Sequence, residues 1–137
     1  MSYSAGVLTS SRWYRVSCTS ICGVEYSNVV KVNVRNPIVS GLFAPSTSEI
    51  CYNTSTALVV GTALGGDSVY SYIWERRSPL GNWSTDPNST SSLTHVTGAL
   101  LSTTEYRVIS NSGCNVTDTS NTYVVDVADE FVQGQIS

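Results

Sequence analysis

Two stretches of the chain, 92 residues apart, carry nearly the same sequence: Gly6-Val-Leu-Thr-Ser-Ser-Arg-Trp-Tyr-Arg-Val16 and Gly98-Ala-Leu-Leu-Ser-Thr-Thr-Glu-Tyr-Arg-Val108. Glycine, leucine, serine, tyrosine, arginine and valine match in one register. After one inserted residue the offset becomes 93, and Ser27-Asn28 falls on Ser120-Asn121. Because so many matches in one register exceed chance, we predict a tandem repeat of about 93 residues, the size of a β-sandwich module.

The register of the repeat predicts how the chain is divided. At the offset of 93, Val39-Ser-Gly41 falls on Val132-Gln-Gly134. We therefore expect residues 1–35 to be the C-terminal strands of a preceding repeat and residues 36–128 to be one complete repeat. Residues 129–137 are expected to be the start of a following repeat or a linker.

The composition favours strands and excludes several classes of protein. Serine and threonine supply 38 of the 137 positions and valine supplies 18, whereas lysine occurs once. Such a chain is poor in helix-forming residues and rich in β-branched ones. Its net charge of −3 argues against nucleic-acid binding, which needs a basic surface. No apolar run approaches the ~20 residues of a membrane span.

Alternation of apolar and polar residues predicts where the strands lie. Tyr70, Tyr72 and Trp74 share one face of a predicted strand, and turn residues separate this run from its neighbours. In the N-terminal segment we predict two strands, around Trp13–Ser17 and Ser27–Val34, joined as a hairpin. Short, regularly spaced strands without a helical pattern indicate an all-β, antiparallel β-sandwich.

Two features favour an immunoglobulin-like sandwich. Leu100 stands six residues before Tyr106, a spacing typical of the tyrosine corner, in which a tyrosine hydroxyl bonds back to the preceding turn. Trp74 lies in the third predicted strand, where immunoglobulin-like domains place a core tryptophan. The predicted core residues are Trp74, Leu100, Tyr106, Val108 and Val125.

The full repeat resembles the immunoglobulin-like repeats of large Bacteroidota surface adhesins. The resemblance rests on Glu49-Ile-Cys51-Tyr-Asn-Thr-Ser, Gly65-Gly-Asp-Ser-Val-Tyr-Ser-Tyr-Ile-Trp74, Gly81-Asn-Trp83 and Tyr106-Arg-Val with Cys114. Members of that group include gliding-motility adhesins exported by the type IX secretion system. The resemblance implies an extracellular or cell-surface module that acts in adhesion, and not an enzyme.

The four cysteines allow three pairings, and their spacing alone does not choose among them. We expect Cys51 to pair with Cys114, because Cys114 has a repeat equivalent in Cys22 and Cys51 has no other cysteine nearby. This bond closes a loop of 63 residues (114 minus 51), worth about 4 kcal/mol in the chain-entropy model. Cys18 is then expected to pair with Cys22. A zinc site is not favoured, because the chain has no CxxC motif and one histidine.

The remaining candidate sites are one histidine, an acidic cluster and one serine. His95 is interpreted as a solvated residue of an edge strand, without the oriented partners that a catalytic base needs, so no enzymatic function is predicted. Asp126, Asp129 and Glu130 cluster at the predicted repeat junction and could hold calcium. Ser68, within Asp67-Ser68-Val69, resembles the acceptor of the short O-glycosylation signal found in Bacteroidota.

The leading functional prediction is a non-catalytic spacer or adhesive stalk in a repetitive surface adhesin, without a cofactor. Its expected partners are neighbouring immunoglobulin-like repeats or other copies of the chain, and surface glycans. Two alternatives stay open. One is a self-assembling extracellular fibre, a filament whose subunits exchange strands. The other is a carbohydrate-binding module with Tyr70, Tyr72 and Trp83 as its aromatic platform.

Overall fold

The described residues, 1–113 and 115–134 of a computed structural model, are arranged in β-strands and loops without a helix. No helix that could cross a membrane occurs among them. The chain divides into two compact units, Met1–Asn36 and Pro37–Ser137, called here the N-terminal and C-terminal units. The described part of the chain is therefore all-β.

The N-terminal unit contains four short strands in two antiparallel pairs. Its strands are β1 (Arg12–Tyr14), β2 (Ser17–Ser20), β3 (Gly23–Tyr26) and β4 (Val30–Val32). Strand β1 pairs with β4, and β2 pairs with β3 as a hairpin between them. The prediction of a single hairpin was therefore too simple. The two predicted strands do pair, but Gly23, with a φ of 136°, allows the intervening residues to turn back on themselves first.

The described part of the C-terminal unit contains eight strands. They are β5 (Thr47–Ile50), β6 (Ala57–Val59), β7 (Tyr70–Arg77), β8 (Ser84–Thr85), β9 (Thr94–Val96), β10 (Thr104–Ser112), β11 (Thr117–Thr119) and β12 (Tyr123–Val127). Six of them form one sheet in the order β5-β12-β10-β7-β8, with β11 paired to β10. All pairs in this sheet are antiparallel except β5 with β12, which is parallel. Strands β6 and β9 form a separate antiparallel pair.

The core lies between the six-stranded sheet and the β6–β9 pair. Along β10 every second residue is buried, as expected for a strand with one face in a core. Leu58 of β6 belongs to the same apolar cluster as Trp74 of β7 and Phe43 of the preceding loop. This arrangement of antiparallel sheets is compatible with a β-sandwich.

All five residues predicted from the sequence to be core residues belong to this cluster. Trp74, Tyr106, Val108 and Val125 are each 0% exposed and Leu100 is 5% exposed. Trp74 lies directly opposite Val108 across the β7–β10 pair, so the two side chains share one face of the sheet.

Candidate functional site

Strand pairs β1–β4 and β10–β12 have the same register once the sequence offsets of 92 and 93 are applied. In the N-terminal unit the opposed pairs are Arg12 with Val32, Trp13 with Lys31, and Tyr14 with Val30. In the C-terminal unit the corresponding pairs are Thr104 with Val125, Glu105 with Val124, and Tyr106 with Tyr123. The hairpin β2–β3 corresponds to β10–β11 in the same way. Two separate parts of the chain therefore share one local hydrogen-bonding pattern.

A serine joins these strands in both units. Val16 donates its backbone N–H to the Ser27 hydroxyl at 2.8 Å, and Ser27 returns its own N–H to the Val16 carbonyl at 2.8 Å. Val108 and Ser120, at the matching positions, make the same two bonds at 2.9 Å. The correspondence extends beyond strand pairing to a side-chain bond that closes the turn.

The apolar faces of the two strand pairs differ in what covers them. Tyr106, Val108 and Val125 are fully buried, whereas Val16 and Val30, on the matching face, are 54% and 56% exposed. On this side of the N-terminal unit lies a hollow whose lining includes Tyr14, Val16, Asn28 and Val30. We call this surface the open face.

In the C-terminal unit, side chains of β10, of β11 and of the loop before β12 hold the segment 38–43, and one of them, Asn121, corresponds to Asn28 of the open face. The Asp118 carboxylate accepts the Ser40 backbone N–H at 2.8 Å, and the Ser40 and Ser110 hydroxyls lie 2.8 Å apart. Asn121 accepts the Phe43 N–H at 2.8 Å and donates its amide to the Phe43 carbonyl at 3.2 Å. Both backbone polar groups of Phe43 are thus paired, as burial requires.

A buried polar cluster lies at the β7–β9 side of the core. Asp86 is 1% exposed, and its carboxylate lies 3.5 Å from Nε of Arg76 and 3.6 Å from Nε2 of His95. The same carboxylate accepts the Asn88 backbone N–H at 2.7 Å, which fixes the turn after β8. A carboxylate at this depth is tolerated because neighbouring cationic and N–H groups compensate its charge.

The prediction of a solvated His95 was wrong. Its side chain is 3% exposed and stacks on the Trp74 ring, with 4.8 Å between centroids. Burial lowers the pKa of His95 below its ordinary value, and Asp86 opposes this change. His95 lies on the inner face of β9, opposite the buried Leu58 of β6.

The tyrosine corner predicted for Tyr106 is not formed. Its hydroxyl is buried without a hydrogen-bond partner among the described residues, rather than bonded to the preceding turn. Burial, followed by the nearby charge of Asp86, raises the pKa of Tyr106 to about 12. The phenol therefore stays protonated beside the polar cluster.

Residues 40–129 match a family model described as a domain of unknown function, DUF8696. The chain belongs to this family. Neither a curated protein nor a solved structure matches the chain. The matched residues hold the complete core cluster, from Phe43 to Val125, so the core described above is that of the DUF8696 domain.

The outer face of the DUF8696 domain carries a ladder of paired charges. Arg77 lies opposite Glu105 and bonds to it, and Arg107 lies opposite Glu75 with 2.6 Å between Nε and Oε2. Both guanidinium groups cover the Trp83 ring, with 4.5 Å from Arg77 and 4.4 Å from Arg107 to the ring centroid. These cation–π contacts fix Trp83 against the sheet.

The aromatic platform predicted for glycans is therefore not assembled. Tyr70 and Tyr72 lie on the same side of β7 as the buried Trp74, because alternate residues of a strand share a face. Trp83 contacts Arg77, which is on the opposite side of that strand. The Tyr70 hydroxyl is in addition bonded to the Gly65 carbonyl at 2.7 Å.

Cys18, Cys22 and Cys51 are exposed free thiols in the structure. The predicted Cys18–Cys22 bond is not formed. Cys18 lies two residues before the end of β2, about 6.6 Å back along the strand, and Cys22 lies in the turn beyond it. The extended strand thus carries Cys18 away from the turn that holds Cys22, and both thiols are free. Cys114 lies outside the described residues, so its pairing with Cys51 stays a prediction.

The predicted calcium ligands are not brought together. Among the described residues no group of three or more acidic, histidine or cysteine side chains is placed to hold a metal ion, and this includes Asp126, Asp129 and Glu130. Ser68 is exposed in a turn with a φ of 66°, and the Asp67 side chain accepts the Val69 N–H at 3.0 Å. The accessibility of Ser68 is compatible with its modification, which stays a prediction.

Proposed function

We propose that the chain is a non-catalytic, immunoglobulin-like module of a repetitive adhesin exposed on a bacterial surface. In this role the module is a stiff spacer that holds a binding region away from the cell. The adhesins of Bacteroidota that are exported by type IX secretion, including those used in gliding motility, are the group that the sequence resembles.

The shared register of β1–β4 and β10–β12 is the observation that carries the proposal. Proteins that contain structural repeats at a fixed sequence spacing are typically extended arrays in which each unit contacts its neighbours. A spacing of about 93 residues is large enough for each unit to have its own core. Repetition of such units lengthens a protein without new chemistry, as a spacer requires.

The strand order supports an immunoglobulin-like module. Chain order and pairing place β7, β10 and β12 side by side, and β6 with β9 across the core. In constant-type immunoglobulin domains the third, sixth and last strands likewise share one sheet and the second and fifth lie in the other, whereas here β5 and β8 also join the first sheet. The buried Trp74 occupies the third-strand position in this scheme.

The environment of the sole histidine supports a non-catalytic role. His95 is enclosed by Trp74, Tyr106 and Asp86, whose contacts stabilise the core. A general base must reach the proton that it removes from a substrate. The surroundings of His95 instead resemble those of a structural polar cluster.

Surface exposure and the spacer role are tested in the cell that makes the protein. Antibodies raised against residues 37–128 are expected to label intact cells, with a cytoplasmic protein as the negative control. Replacement of residues 36–128 by an unrelated immunoglobulin-like domain of equal length should preserve the attachment of the cells to a surface. Deletion of residues 36–128 should reduce that attachment. Labelling only after lysis, or loss of attachment on equal-length replacement, would contradict the proposal.

A fibre subunit is the second candidate, and the open face favours it. Val16 and Val30 are exposed on that surface, and a strand from another copy would cover them. Strand exchange between copies would give a filament in which each unit is completed by its neighbour.

A further inference from the structure

The first and last strands described in the DUF8696 domain, β5 and β12, lie side by side. Among the described residues β5 pairs with β12 alone, in a parallel register that places Thr47 opposite Val124. The Val124 N–H donates to the Ser46 carbonyl and the Ala128 N–H donates to the Ile50 carbonyl, both at 2.9 Å. Hydrogen bonds therefore join the two strands along the whole length of β5.

One side of the β5–β12 pair is packed against the core and the other side is open to water. Ile50 and Val127 contact the core cluster, and Val125 in the middle of β12 is 0% exposed. Thr47 and Glu49, the alternate residues of β5, are exposed. A hydrogen bond that the core shields on one side meets less competition from water than a bond of an exposed hairpin. Separation of the two strands therefore has to break hydrogen bonds and expose apolar surface together.

The chain enters and leaves the β5–β12 pair at opposite ends. Residues 1–46 precede the N-terminal end of β5, and the residues from 128 onward follow the C-terminal end of β12. Because the two strands are parallel, a pull on the chain from both sides draws them past each other along their axes. All the bonds of the pair are then stretched at once, whereas a pull across a pair of strands opens the bonds one after another.

We propose that the DUF8696 domain is a mechanical element, in which the parallel pair β5–β12 resists a pull on the chain. The force is carried by the backbone hydrogen bonds of the pair, and the side chains of Ile50 and Val127 keep water from one side of them. This inference goes beyond the proposed function, because a spacer can set a distance without resisting tension. It also does not depend on where in the cell the protein is found.

The direction of pulling tests the proposal while the backbone bonds of the pair stay intact. In the first variant, Thr47→Cys and Asp129→Cys supply exposed anchor points at opposite ends of the pair, with the four native cysteines replaced by serine. In the second variant, Cys51 is kept and combined with Asp129→Cys, so both anchors lie at the end where β5 and β12 finish. The reduced thiols are coupled to DNA handles. In both variants the segment 38–43 lies outside the path of the force.

Single-molecule force spectroscopy at one loading rate compares the two variants. The mean unfolding force is expected to be at least about twofold higher for anchors at residues 47 and 129 than for anchors at residues 51 and 129, because only the first arrangement stretches the bonds together. The released lengths should be similar, since 82 residues (129 minus 47) and 78 residues (129 minus 51) lie between the anchors. Forces that do not differ by this margin, or a higher force for the second variant, would overturn the proposal.

Two proline variants test whether the backbone bonds of β5 carry the force. The carbonyls of Ser46 and Ile50 point to β12, so the Ser48 N–H points there too, whereas the Thr47 N–H points to the open edge. In a chain fused between two marker domains, Ser48→Pro is expected to lower the unfolding force by at least about a fifth, since one of about five bonds is lost. The matched control Thr47→Pro removes no bond of the pair and should leave the force unchanged.

Circular dichroism checks that both proline variants fold, and the comparison of anchor points needs neither of them. An equal loss of force in the two variants, or no loss in Ser48→Pro, would show that the pair does not carry the force. The spacer function would stand in either case, because it is tested by labelling and by domain replacement in cells.

Discussion

The pairs β1–β4 and β10–β12 share a register, yet one has an exposed apolar face and the other a buried one. In the C-terminal unit the face is covered by β6, β9 and the segment around Phe43. In the N-terminal unit the same strand positions line a hollow. Strand pairing is thus specified by local sequence, whereas the burial that stabilises it depends on residues elsewhere in the chain.

The two units also differ in the burial of one matching hydrogen bond. The bond between the Val108 N–H and the Ser120 hydroxyl is buried, whereas the matching bond between Val16 and Ser27 is exposed. In water an exposed bond competes with solvent and contributes little net stability. Because only one of the two bonds is buried, the same hydrogen-bond geometry is expected to contribute more to the stability of the C-terminal unit than to that of the N-terminal unit.

The largest expected difference between the two units is that between Trp74 and Trp13. Trp74→Ala should destabilise the chain by about 3–5 kcal/mol, because it removes the centre of the core. Trp13→Ala should cost less than about 1 kcal/mol, because that ring is 64% exposed and contacts the Lys31 ammonium at 4.9 Å. Denaturant unfolding followed by circular dichroism measures both, and similar losses in the two variants would refute the contrast.

Val125 and Val32, which stand at equivalent positions, should differ less in their contribution to stability. Val125→Ala should cost about 2 kcal/mol, because the removed methyl groups leave a cavity in the core. Val32→Ala, at the matching position of the N-terminal unit, should change stability by less than about 0.5 kcal/mol. The same unfolding measurement applies. A loss at Val32 as large as that at Val125 would mean that the open face is covered in the isolated chain.

Asn121 and its equivalent Asn28 test whether hydrogen bonds from a side chain to the backbone hold the segment 38–43. Asn121→Ala should destabilise the C-terminal unit by about 1–3 kcal/mol, because the N–H and carbonyl of Phe43 both lose a partner. Asn28→Ala should leave stability unchanged at low protein concentration. If Asn121→Ala were also neutral, the segment 38–43 would be held by other contacts and the analogy with the open face would fail.

The smallest expected effect is the pH dependence of the C-terminal unit. Because the pKa of His95 is lowered on folding, the unfolded chain binds the proton more tightly, and stability should fall as the pH drops below about 6.5. The single imidazole makes its titration by NMR unambiguous. His95→Gln should remove this part of the slope between about pH 7.5 and 5. An imidazole that titrates above its ordinary value would contradict the buried placement.

The sequence predicted the strand-rich fold because alternation and turn residues act locally. Tyr106 and Val125 could be assigned to the core for the same reason, since each lies on the apolar face of a regular strand. The side of Trp83 could not be assigned, because a residue after a turn can lie against either face of a hairpin. The contact of that ring with Arg77 and Arg107 depends on the register of three strands.

The polar cluster was missed for a related reason. Asp86, in a run of turn residues, carries the pattern of a solvated aspartate. Its burial follows from the positions of Arg76 and His95, which lie on two different sheets of the C-terminal unit. A signal was present in retrospect: a lone histidine flanked by apolar residues in Leu93-Thr-His-Val96 is compatible with an inner strand position as well as an outer one.

Amide hydrogen exchange tests the central claim most directly, because Val16 and Val108 donate the same bond to the same kind of acceptor in the two units. In a proven monomer at low concentration, we expect the Val108 amide to be strongly protected and the Val16 amide to exchange close to the rate of an unfolded chain. Equal protection of the two amides in the monomer would show that the open face is covered within one chain, and would contradict the account.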